Sequence, residues 1–329
     1  MSAQQPDKMK AIVRVRYGSP DVLELKDVDK PVLDDDSVLV RVRAAGLNAF
    51  DWHVMRGRPA LVRIFTGLRK PKSSAMGRDF AGQVDAVGKN VTEFRPGDEV
   101  FGAGAGALAE YARGKSFLVH KPASLTFEQA AAIPMAGVTA LQALRDIGQI
   151  QPGQDVLING ASGGVGTFAV QLAKAFGARV TAVCSTRNVD MVRSLGADEV
   201  IDYTKEDFTR RPQRFDLFVD VAATHSLSAQ TRVLRPHGTL VSVGSANDGG
   251  TASILVGFLA VAVRSRFESR KMLSFIAKNS KEDLILLKGL IDAGKVRPVI
   301  DRTYALSETP AAIRYLEEGH ARGKVVISL

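Results

Sequence analysis

The sequence predicts an α/β protein in two parts, a β-rich first third followed by a doubly wound parallel sheet with helices on both faces. Three observations carry this. The 329 residues exceed what one ordinary core organises. Short apolar runs alternate with amphipathic helical stretches from Asp155 onward. Before that, apolar residues recur at period two, and glycines punctuate the runs.

In SVLVRVR (Ser37–Arg43), Val38, Val40 and Val42 share one face, as a half-buried strand requires. AGQVDAVG (Ala81–Gly88), GDEVFG (Gly97–Gly102) and LAEYARG (Leu108–Gly114) are further strands. Near Phe127 the composition turns to Ala and Leu, and a helix through Thr139–Ile147 should end at Gly148. The alternation then runs DVLIN (Asp155–Asn159) as strand, Val165–Gly177 as helix and RVTAVC (Arg179–Cys184) as strand. A helix to Leu195, the strand Glu199–Ile201, the strand Leu217–Ala222, a helix to Leu234 and the strand Thr239–Gly244 follow. Apolar strands separated by helices imply a parallel sheet covered on both faces. The tail holds a helix, Asp283–Gly294, and a terminal strand, KVVISL.

NGASGGVG (Asn159–Gly166) lies between a strand and a helix. Gly160, Gly163 and Gly166 recur at three-residue spacing, which lets backbone approach a pyrophosphate at a helix N-terminus; a tight packing turn is the alternative. The loop is read as a dinucleotide site. An NAD site ordinarily carries an acid at the end of its second strand, to accept from the ribose hydroxyls. Here Cys184 is followed by Ser185, Thr186, Arg187 and Asn188. Ser185 and Arg187 can donate to a 2′-phosphate, so NADPH is the expected cofactor; Arg187 as a plain exposed arginine is the alternative.

Gly77–Gly102, Ala131–Leu144, Asn159–Val180 and LGADEVIDY (Leu195–Tyr203), in that order, resemble the medium-chain dehydrogenase/reductase superfamily, and within it the zinc-independent quinone oxidoreductase branch. The resemblance runs from about Met9 to the C-terminus. It implies a GroES-like catalytic domain (residues 1–123 and 277–329), a Rossmann NADP-binding domain (124–276), an active cleft between them and a homodimer. It also implies hydride transfer to a quinone or to the β-carbon of an α,β-unsaturated carbonyl.

Zinc relatives place a Cys where this chain has Asn48 in GLNAFDW, and a Gly-His-Glu where it has Arg78-Asp79. Neither Asn nor Arg replaces a thiolate or an imidazole. One cysteine, Cys184, excludes a four-Cys lobe, and the five histidines show no ligand spacing. No metal is expected.

By the same resemblance Asn48 reaches the nicotinamide or the substrate oxygen, with Asp51 close by. A turn residue at Asn48 and a helix N-cap at Asp51 are the alternatives. Tyr111 is a proton-donor candidate, though a packed strand tyrosine fits it better. Ser162, Gly163, Gly164 and Val165 match the phosphate loop, and Ser185, Arg187 and Tyr203 the adenosine-phosphate region. Asn188 falls where relatives often carry lysine. Thr139 and Val243, Gly244 and Ser245 border the nicotinamide half, and Lys324 is a further cofactor candidate or an exposed strand-start lysine.

Net charge is +9, but the basic residues are scattered and no nucleic-acid-binding motif appears. The N-terminal MSAQQPDKMK lacks a signal-peptide core, so a cytoplasmic location is expected. Ile254–Val263, followed by Arg264, Arg266, Arg270 and Lys271, is the longest uncharged apolar stretch. It is read as a buried helix lining the cleft or a subunit interface, with a membrane-facing mouth as the alternative. Membrane contact is not expected. A zinc-free alcohol or aldehyde oxidoreductase and a non-catalytic NADPH-binding protein are the competing functions.

Overall fold

The structure is a computed structural model and describes residues 7–243 and 269–329. Gly244, Ser245, the Ile254–Val263 stretch, Arg264 and Arg266 lie outside the described residues. The chain divides into two units. One gathers Met1–Met135, Asn279–Asp292 and Pro298–Leu329, and the other Ala136–Lys278 and Ala293–Arg297.

The first unit is built on a seven-stranded sheet. Strand Val38–Gly46 pairs antiparallel with Asp79–Val87 along one edge. Along its other edge it takes Tyr111–Gly114 at its start and the terminal strand Lys324–Ser328 at its end. Strand Ile300–Ala305 lies beside Lys324–Ser328. The C-terminal segment therefore returns to the first unit, as the resemblance implied. Val40, Val42, Phe80, Val100 and Ile327 are buried together in its core. A hairpin of Lys8–Arg14 and Leu23–Asp29 adds a smaller layer.

Helix Phe127–Ala131 begins at a reciprocal cap between Thr126 and Gln129. It packs so closely on the sheet that a Cβ on Gly46 would sit 2.2 Å from the Ala131 carbonyl oxygen. That packing carries the first unit to Met135, beyond residue 123. The next helix runs Pro134–Gln142 and ends in a π-helical turn, Ala143–Ile147, against Gly148.

The second unit is a six-stranded parallel sheet. Its order is Glu199–Asp202, Arg179–Cys184, Asp155–Asn159, Phe215–Asp220, Leu234–Val243, Lys271–Phe275. By chain order within this unit that is third, second, first, fourth, fifth, sixth. The winding reverses between Asp155–Asn159 and Phe215–Asp220, the point where such sheets bind ligands. Helix Gly164–Ala175 buries Phe168, Ala169 and Leu172. Its Gln171 side chain exchanges two hydrogen bonds with the Arg297 backbone, which draws residues 293–297 into this unit.

Candidate functional site

In the first unit, pairing of Gly46 with Asp79 brings the strand start level with the turn at Asn48. Asn48 occupies the N-cap position of helix Ala49–Arg56, and its backbone N–H donates to Asp51 Oδ2 at 2.8 Å. The cap position is thus Asn48's, and Asp51 is the third helical residue that bonds back to it. The Asn48 side chain turns inward. Its Nδ2 donates to Asp79 Oδ2 at 2.9 Å and to the Gly46 carbonyl at 3.3 Å. Its Oδ1 accepts from Lys324 Nζ, which also donates to the Leu47 carbonyl at 2.7 Å. The Met135 N–H donates to Asp79 Oδ2 at 2.9 Å.

All four side chains are buried: Asn48, Asp51, Asp79 and Lys324. Lys324 is no exposed strand-start residue. Burial pushes the Asp51 carboxyl up to about 7, against the Asn48 N–H and the Lys324 charge, which pull it down. Burial also raises Asp79 and lowers Lys324, and each offsets the other's shift. Asp79 Oδ1 has no hydrogen-bond partner, in a site otherwise closely paired. Both Asn48 amide hydrogens are committed inside the protein. What the side chain still offers is a lone pair on Oδ1.

In the second unit the glycine loop divides its labour. Gly160 sits at φ +79, and a Cβ there would come within 3.2 Å of Ala222. A Cβ on Gly166 would meet the Gly160 carbonyl oxygen at 2.1 Å, so only glycine lets the helix pack. Gly163 has an ordinary extended backbone, and a Cβ there would meet only the Gly160 carbonyl oxygen, at 3.5 Å. Neither strain nor packing requires glycine at 163. It opens space at the N-cap of helix Gly164–Ala175, where no side chain caps the free N–H groups. That is the cradle a diphosphate requires. Ser162, Gly164 and Val165 flank it.

Ser162 Oγ accepts from Asn188 Nδ2 at 2.9 Å, and the same nitrogen donates to Ser185 Oγ at 3.2 Å. Asn188, the position where relatives often carry lysine, ties the phosphate loop to the end of the second strand. Arg187 and Tyr203 are exposed beside that turn. The sequence reading found no acid after Cys184, yet register pairs Asp202 with Cys184. Its carboxylate accepts from the Thr186 and Thr204 hydroxyls at 2.6 and 2.8 Å, which hold it below the usual carboxylate range. Asp202 therefore lies by the adenosine-phosphate turn with its oxygens already engaged.

At the switch point, buried Asp220 accepts from Asn159 Nδ2 and from the Ala223 N–H, both at 2.9 Å. Sequence reasoning passed over Asp79, Asp202 and Asp220. The signal that could have found them is an acid at the boundary of an apolar strand: Asp79 opens its strand, and Asp202 and Asp220 close theirs. Thr139 is half-buried on its helix, and Val243 closes the last described part of its strand. Tyr111 packs in the first unit beneath the Lys30 ammonium, 4.2 Å from the ring centre. Cys184 is buried, and burial pushes its thiol up to about 11.

Residues 34–124 match a family model described as an alcohol dehydrogenase GroES-like domain, and 195–327 one described as a zinc-binding dehydrogenase. The chain is 34% identical to a Danio rerio mitochondrial NAD(P)H oxidoreductase over 100% of this chain and 93% of that protein. It belongs to the quinone oxidoreductase-like branch of the medium-chain dehydrogenase/reductase superfamily. A second relative of this oxidoreductase, 2-methylene-furan-3-one reductase of Solanum lycopersicum, is 35% identical over 98% of this chain and 79% of its own. Among solved structures, the quinone oxidoreductase of Coxiella burnetii superposes with a TM-score of 0.85 at 32% identity, covering 98% and 100% of the two chains. This family membership makes the chain an oxidoreductase with a nicotinamide cofactor, and the open cradle at Gly163 fits that cofactor's diphosphate.

Proposed function

We propose that this chain reduces quinones or α,β-unsaturated carbonyls with NADPH and without zinc. The reduced nicotinamide supplies the hydride, to the quinone or to the enone β-carbon. The observation that carries the reading is the space left at Gly163 beside uncapped helix N–H groups. Those groups bind the diphosphate, and Ser162, held by Asn188, fixes the loop. Preference for the 2′-phosphate is assigned to Ser185 and the exposed Arg187, since Asp202 is already engaged by two threonines.

Zinc independence is supported by what already occupies the turn. Asn48 and Arg78 stand where zinc relatives place ligands, and neither is a zinc ligand; Asn48 Oδ1 instead accepts from the Lys324 ammonium. Without a Lewis acid, an acceptor that delocalises charge itself is favoured over alcohol oxidation. Asn48 contributes a fixed acceptor, and Asp51 a group that holds a proton near neutrality. A homodimer and a cytoplasmic location belong to the same proposal. Among the described residues no helix is long and apolar enough to cross a membrane.

The test mixes NADPH or NADH with menadione, 9,10-phenanthrenequinone, an alkenone and an alcohol panel, and follows absorbance near ~340 nm. NADPH oxidation by a quinone or enone, unchanged by chelator, is expected. Arg187→Ala should raise the KM for NADPH about tenfold and leave that for NADH unchanged. Equal KM values for the two cofactors in the unsubstituted enzyme would remove the preference. Binding without turnover across the panel would turn the reading to a cofactor-binding protein.

A further inference from the structure

We propose that Arg14 and the loop from Gly67 to Ser74 form a binding site for phosphate-type anions, on the first unit and separate from the glycine cradle of the second. An open surface depression lies there, lined by Arg14, Leu68, Arg69, Lys70, Lys72 and neighbouring residues. No acidic side chain lines it. Among the described residues, none of these four cations forms an ion pair.

Arg14 is the informative member. It is only 3% exposed, and a guanidinium so deeply placed ordinarily meets a carboxylate. Here its Nη1 donates to the Val54 carbonyl, its Nε has no hydrogen-bond partner, and the guanidinium lies 5.5 Å from the centre of the Tyr17 ring. Burial holds its pKa below the usual range, as expected for a cation with no counter-charge.

The loop is already shaped. The Tyr17 hydroxyl donates to the Gly67 carbonyl at 2.6 Å, and the Lys72 N–H to the Thr66 carbonyl at 2.8 Å. The Arg14 and Ser74 backbones are joined at 2.9 Å. Gly67, at φ +121, lets the turn close where a Cβ would lie 2.1 Å from the Lys70 carbonyl oxygen. Beside the cations, Ile64, Phe65 and Leu68 are 55%, 76% and 72% exposed. Clustered cations next to protruding apolar side chains match a phosphate that carries an apolar group. A phospholipid headgroup and a soluble phosphate ester share that chemistry.

The test uses the full chain saturated with NADP⁺, so that the glycine cradle does not report. Flotation at low salt with phosphatidylglycerol or phosphatidylcholine vesicles probes the lipid source, and calorimetry with inorganic pyrophosphate the soluble one. The unsubstituted protein is compared with Arg69→Ser/Lys70→Ser/Lys72→Ser, all on exposed positions, and with Lys70→Ser alone should the triple variant not fold. Flotation with phosphatidylglycerol only, weakened about tenfold or more by the triple substitution, is expected. Pyrophosphate binding weakened to the same degree, with no flotation, keeps the site and assigns a soluble ligand. Binding of neither probe, or equal binding by the variants, overturns the site and leaves the quinone assay untouched.

Discussion

At the residue scale, the buried polar cluster of the first unit carries the sharpest expectation. An unfolded Asp has a pKa of about 3.9, and in the fold Asp51 is pushed up to about 7. Between those values the folded chain keeps a proton that the unfolded chain has released. Asp51 thus contributes stability that is full below about pH 4 and lost as pH rises through about 7. In Asp51→Asn that contribution is gone, while an amide oxygen still accepts the Asn48 N–H. The unsubstituted-minus-variant stability, from urea midpoints between pH 4 and 8, should fall with pH by up to about 4 kcal/mol. A flat difference would mean Asp51 stays ionised. Asn48, Asp51 and Lys324 were each legible in the sequence. Asn48 and Asp51 stand three residues apart and were read as neighbours; their meeting with Lys324 was not legible, because it depends on the pairing of Val326 with Gly46, a long-range register that no local pattern encodes.

At the element scale, the strand–glycine loop–helix unit was read nearly whole. Its strands Asp155–Asn159 and Arg179–Cys184 stand where the apolar runs put them. The reading treated the loop glycines alike, whereas the structure separates them. Gly166→Ala should destabilise the protein by about 1–3 kcal/mol, because its Cβ meets backbone at 2.1 Å. Gly163→Ala should leave the thermal midpoint in place and weaken NADPH binding about tenfold, measured by fluorescence titration. Equal loss of stability in both would return Gly163 to a packing role. The N-terminal hairpin escaped notice, since its second strand, LELKDVD, is largely exposed and its charges mask the period. Strand Ile300–Ala305 escaped for the same reason.

At the scale of the whole molecule, the parallel sheet of the second unit followed from the alternation of apolar strands and helices, while its strand order came only with the structure. The return of residues 300–328 to the first sheet came only from family resemblance, because nothing local marks a strand that pairs with one near residue 44. Cofactor linkage gives a test at this scale. NADPH at about 100 times its Kd should stabilise the protein by about 2.7 kcal/mol, and the same concentration of NADH by measurably less. Differential scanning calorimetry at matched concentrations reads this; equal upward shifts would show that the 2′-phosphate adds nothing.

Cys184, the only thiol in the chain, is buried at the end of strand Arg179–Cys184. The native enzyme should therefore ignore Ellman's reagent, and release one equivalent of chromophore per chain once urea opens it. Prompt reaction without urea would mean that the sheet breathes at that strand. A silent background thiol leaves every introduced cysteine as a single address for a fluorophore or spin label, without first stripping the natural one.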